Sequence, residues 1–146
     1  MDTSKKTWPI ISVFGIRNNI DTNPDFQRPA VWTIPQKQLL IDSILRGYDV
    51  PKFYWRLKSK KPDLYEVVDG QQRLRAIWEF LGGKYSLPKD SDPIDGIDTR
   101  GMKYEQFPLD LRTRCDTYNL DVVILEASDD EETREMFPPV AKRHFP

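Results

Sequence analysis

Apolar positions along this chain change their period several times, and each change predicts an element. Leu40, Ile41, Ile44 and Leu45 recur at helical spacing behind Thr33-Ile34-Pro35-Gln36. That opening is a capping-box pattern, with Thr at the N-cap and Gln three residues on, and Gly47 closes the run. Leu74, Ile77, Trp78 and Leu81 stand at i, i+3, i+4 and i+7, which predicts a second helix starting just after Asp69-Gly70 and stopping at Gly82-Gly83. Apolar runs predict strands over 8–14 (WPIISVF), 52–57 (KFYWRL), 64–68 (LYEVV) and 119–127 (NLDVVILEA). The last of these has a continuous apolar centre and is expected to be buried. A short helix is predicted over 108–115, and a further one through Phe137 behind a second capping box, Ser128-Asp129-Asp130-Glu131. Segments 16–32 and 86–101 carry Pro, Asn, Asp and Gly without any period and read as loops.

The order is strand, helix, two strands, helix, loop, helix, strand, helix. It predicts a compact α+β domain, a small mixed sheet with helices packed on it, rather than a regular βαβ series. A length of 146 residues suits one such domain.

Charge narrows the function classes. Lys and Arg total 22 against 23 acidic residues, a net charge of -1, so nucleic acid would have to be met by a local patch. Lys58, Lys60 and Lys61 in a hairpin turn, and Arg112 with Arg114, are the basic spots; lysines at a hairpin tip read equally as a solvated turn. No stretch approaches the roughly 20 apolar residues of a membrane span, and the opening MDTSKKTWPI lacks the apolar core of a secretory signal. The expected location is the cytoplasm. Cys115 and His144 are each the single residue of their type. That excludes an intrachain disulfide, a Cys-rich zinc site, a two-histidine metal site and a histidine-paired nuclease centre within this chain. Carboxylates, amides and arginines must carry any chemistry.

Those groups are concentrated in VVDGQQRLRAIWEF, residues 67–80. A strand runs into Asp69 and Gly70, and Gln71, Gln72 and Arg73 crowd the first turn of a helix. Helix starts expose N–H groups and about half a positive charge. Gly70 lets the backbone approach a ligand, Arg73 offers forked donors to phosphate oxygens, and Gln71 or Gln72 can donate or place a water. Asp69 fits such a cradle if it holds a divalent cation such as Mg2+, orients a water or fixes Arg73. Spacing alone also fits a tight Asp-Gly turn with polar side chains facing water. The Walker A pattern is absent. A second stretch, NPDFQRPAVW (23–32), holds Arg28 in a proline-flanked loop, with Phe26 and Trp32 as anchors or stacking faces.

With both stretches in view, DFQRPAVWTIPQKQLLIDSILRGYDVPKFYW followed by YEVVDGQQRLRAIWEFL resembles the N-terminal domain of the GmrSD-type restriction family, within the ParB/sulfiredoxin-like superfamily. The resemblance runs from about Ile16 to Phe137. It implies a ParB/sulfiredoxin-like fold over 1–127, with 128–146 starting a shortened C-terminal helical extension. Asp69, Gly70, Gln71, Gln72 and Arg73 would form the nucleotide-phosphate site, faced by Gln27 and Arg28, with Mg2+ at Asp69. The implied role is binding of a nucleoside triphosphate, with its hydrolysis as a further step, in a regulatory domain of a DNA-restriction or phage-defence system directed at modified DNA.

The chain also departs from the family pattern. After EETREMF the sequence reads PPVAKRHFP, where two prolines end the helix and no histidine-based nuclease domain follows. Alternatives are therefore a catalytically silent DNA- or protein-binding module, or a small Mg-dependent nuclease using Asp69. Apolar residues of 122–125, with Met136 and Phe137, are expected to lack their usual helical cover, which implies self-association or a separate nuclease partner.

Overall fold

The computed structural model describes residues 2–22 and 31–126 of the chain. Five strands form one sheet in the order β1-β5-β3-β4-β2. They are β1 (Asp2–Pro9), β2 (Ile20–Asp21), β3 (Phe53–Ser59), β4 (Leu64–Asp69) and β5 (Asn119–Glu126). Four helices accompany them: α1 (Ile10–Gly15), α2 (Ile34–Leu45), α3 (Gln71–Leu81) and α4 (Leu109–Thr117). Pairings alternate in sense: β1 and β3 run antiparallel to β5 and β4 respectively, while β5 with β3 and β4 with β2 run parallel. The architecture is the mixed α+β domain that the element order predicted.

Alternation along the strands divides the buried side chains between two clusters. Phe53, Trp55, Tyr65, Val67, Leu120, Val122 and Ile124 join the large cluster with Leu40, Ile41, Ile44, Leu74, Ile77 and Phe80 of the helices. Val68, Val123 and Leu125, with Tyr54 against them, form a small second cluster. This corrects one expectation: 122–125 is not a bare apolar surface, since Leu125 is fully buried and Val123 is 8% exposed. A strand whose successive side chains are all apolar has to be covered on both faces. The case for self-association drawn from that strand falls with it. Met136, Phe137 and the capping box at 128–131 lie outside the described residues, as does the expected extension 128–146.

The first strand is also corrected. Residues 8–14 were expected to be extended throughout, yet Pro9 ends β1 and serves as the N-cap of α1. β-branched Ile10, Ile11 and Val13 suggest a strand, but Ile10 and Val13 are three apart and both buried, the spacing of a one-sided helix. Packing against the core overrides the local preference.

Other starts and stops follow the residues. The Gln36 N–H donates to Thr33 Oγ1 at 3.4 Å and the Thr33 N–H to Gln36 Oε1 at 2.8 Å, the reciprocal capping box expected at α2. Past Arg46 the chain leaves α2 through Gly47 at φ 78°, a left-handed position that favours glycine. Cys115 is fully buried on α4, and burial pushes its thiol up to about 12. A protonated, covered thiol is a poor nucleophile. Ellman's reagent is therefore expected to leave native protein unlabelled and to react in step with global unfolding in urea. Rapid stoichiometric labelling under native conditions would contradict the packing of α4.

Candidate functional site

The site is the turn from β4 into α3. β4 delivers Asp69 to the end of the sheet, and Gly70 turns the chain at φ 104° and ψ 16°. The first bond into the helix is the Leu74 N–H to the Gly70 carbonyl at 2.9 Å. The N–H groups of Gln71, Gln72 and Arg73 precede it, so intrahelical geometry gives them no acceptor.

Gly70 is required for a reason that sequence reasoning did not supply. A Cβ there would stand 2.6 Å from Phe53 Cδ2 and 3.2 Å from Arg73 NH2. The absent side chain makes room for β3 and for Arg73 rather than only for a ligand.

Arg73 was expected to stand exposed at the helix start. It is 6% exposed instead. Its NH1 donates to the Pro51 carbonyl and its NH2 to the Lys52 carbonyl at 3.2 Å, while the guanidinium lies 4.5 Å over the Phe53 ring. Burial lowers its pKa to about 10, an effect the Asp69 carboxylate opposes. The guanidinium remains charged at neutral pH. It sits behind the turn and adds positive potential there while bracing the start of β3.

Gln71 is likewise turned inward, 3% exposed, with Nε2 donating to the Val67 carbonyl at 3.1 Å and to the Val68 carbonyl at 3.4 Å. Its amide fastens the end of β4. Gln72 points elsewhere. Its Oε1 accepts the Trp32 N–H at 3.1 Å, which fixes the amide orientation because a backbone N–H can only donate. Gln72 Nε2 is then buried with no hydrogen-bond partner among the described residues. A buried, unsatisfied amide costs about 1–3 kcal/mol, and an acceptor arriving there would relieve it. Asp69 is half-buried at the mouth of the turn.

Arg75, one helical turn on from Gln72, was not singled out from the sequence. Its Nε donates to Thr22 Oγ1 at 3.1 Å and its NH2 to the Thr22 carbonyl at 3.0 Å. The signal was available in its i+3 spacing from Gln72, which puts both on one face of α3. Gln27 and Arg28 lie outside the described residues, between these two anchored positions. Phe26 is outside them as well.

The family model of the GmrSD restriction endonuclease N-terminal domain matches residues 11–140. The chain belongs to this family. No curated protein and no solved structure matches it. Membership makes this GmrSD-type domain a component of a restriction system. Among its described residues no helix is long and apolar enough to cross a membrane.

Several residues of the basic spots have partners within the domain. Lys58 pairs with Glu66 and Lys60 with Glu126, each at 3.4 Å. Arg112 lies 5.0 Å over the Tyr104 ring, and Arg114 reaches Asp95 and the Leu45 carbonyl. Among the described residues no three His, Cys, Asp or Glu side chains gather as a metal site. A single carboxylate at Asp69 still suits Mg2+, which commonly takes one or two carboxylates and completes its shell with phosphate oxygens and water.

Removing the Arg73 side chain should lower stability without any ligand, by about 2–3 kcal/mol, because the fold loses a buried charged donor to two backbone carbonyls and its cover over Phe53. Urea denaturation of Arg73→Ala against wild type measures this. An Arg held only for a ligand would give unchanged or raised stability.

Proposed function

We propose that this GmrSD-type domain binds a nucleoside triphosphate at the 69–73 turn and so regulates restriction. One observation carries the reading. Thr22 and Trp32, which bracket the 23–30 block, are hydrogen-bonded to Arg75 and Gln72 on the same face of α3. Gln27 and Arg28 belong to the block between these two anchors.

Roles divide accordingly. The N–H groups of the first turn and the buried Gln72 amide meet phosphate oxygens, and Arg28 and Gln27 meet them from the other block. Arg73 contributes charge from behind, and Gly70 and Gln71 hold the backbone in place. Asp69 takes Mg2+, which neutralises phosphate charge when bound. Hydrolysis, where it follows, uses a water oriented by Gln72 and Asp69. DNA, modified or not, and a separate nuclease are partners of this reading.

Calorimetric titration with each of the four nucleoside triphosphates and Mg2+ tests it. At least one is expected to bind, with affinity falling tenfold or more in Gln72→Ala and in Arg75→Ala while the melting temperature of each variant stays within a few degrees. Absence of binding by every triphosphate would favour the silent DNA- or protein-binding module. Plasmid nicking by wild type with Mg2+, abolished in Asp69→Ala, would favour the small nuclease.

A further inference from the structure

Away from the turn, the outer face of α2 and the loop at 88–92 enclose a groove of about 690 Å³. Pro35 and Leu39 of α2, Tyr48 beyond its end and Pro88 of the loop supply apolar walls. Leu39 is 56% exposed and Tyr48 60%, values far outside the core. Ile34 at 45% and Val31 at 82% are also exposed, near the start of α2 and outside the groove. Scattered exposed apolar residues are ordinary, but Leu39 and Tyr48 share the walls of one groove, which marks an interaction surface.

Charge decides what fits. Arg46 is the cation in the groove and is already engaged: its Nε donates to both Asp42 carboxylate oxygens at 3.1 and 3.0 Å, and its NH2 to the Asp92 carbonyl at 3.1 Å. Gln38 is spent on the Ser86 carbonyl at 2.9 Å. Asp90 and Asp92 are exposed on the rim, and neither carboxylate has an ion-pair partner among the described residues. With Asp42 neutralising Arg46, the Asp90 and Asp92 carboxylates remain on the rim, and the exposed Lys89 precedes Asp90 in the same loop. The open Tyr48 ring adds a face on which a cation can stack. A second copy docked by this same face would bring the acidic rim against its like, and the two rim carboxylates disfavour a nucleic-acid backbone.

We propose that this groove docks a segment of a partner protein that presents a lysine or arginine beside an apolar side chain. The basic group meets Asp90, Asp92 and the Tyr48 ring, while the apolar neighbour covers Leu39 and Pro35. None of the residues lining the groove belongs to the 69–73 turn, so the proposal stands whether or not nucleotide binds there.

A titration of the isotope-labelled full chain, followed by amide NMR, tests the proposal with a short synthetic peptide of alternating leucine and lysine. Its leucine–glutamate counterpart is the control. Saturable shifts are expected at residues 35–48 and 88–92 with the lysine peptide alone. The affinity should drop at least tenfold in Asp90→Lys/Asp92→Lys and in Leu39→Glu, whose side chains are exposed and whose dispersed spectra should report an intact fold. Equal binding of both peptides, undiminished binding by the variants, or no saturable shift in this region would each overturn it. Shifts there that grow with protein concentration alone would assign the groove to a second copy instead.

Discussion

A buried guanidinium organises this domain. Arg73 belongs to α3, yet its donors reach the carbonyls of Pro51 and Lys52 and its plane covers Phe53, so the helix start and the beginning of β3 are fixed to one another. Phe53 in turn sits where a Cβ on Gly70 would be, and it lies opposite Val122 in the parallel pairing with β5. The turn, the central strands and the helix therefore share one set of contacts. Burying a cation is costly unless it is hydrogen-bonded; here carbonyl oxygens and an aromatic face compensate it, with the Asp69 carboxylate adding a favourable charge. Shape and positive potential at the turn come from the same residue.

On that base, α3 gathers parts of the chain that are distant in sequence. Gln72 holds the backbone at Trp32, and Arg75 holds Thr22 through side chain and backbone together. The amide left over on Gln72 is buried without a partner among the described residues. On the proposed reading, that donor is the group an incoming acceptor would meet. Phosphate is the acceptor best matched to a helix start backed by a guanidinium.

Much of the frame was legible in the sequence because its signals were local. The Thr33/Gln36 capping box, the 40, 41, 44 and 45 stripe, and the handover from β4 to α3 all rest on spacings of a few residues. Residues 10–14 were misread because β-branched side chains favour a strand, while the deciding contact, Ile10 and Val13 against the core, is tertiary. The orientation of Arg73 was hidden for the same reason. A guanidinium directly after two glutamines looks exposed until the carbonyls of 51 and 52 are known to lie within reach. The pairing of Arg75 with Thr22 is another long-range contact, with only its helical spacing from Gln72 as a hint.

Hydrogen exchange at the amides of residues 70–73 tests the central claim most directly, measured with and without a saturating nucleoside triphosphate and Mg2+. These N–H groups come before the helix's first internal bond, so phosphate bound at the turn should slow their exchange at least tenfold. Slowing should be concentrated there and at Trp32, whose N–H is held by Gln72. Nucleotide bound to saturation with exchange at 70–73 unchanged would place the ligand elsewhere and contradict the account.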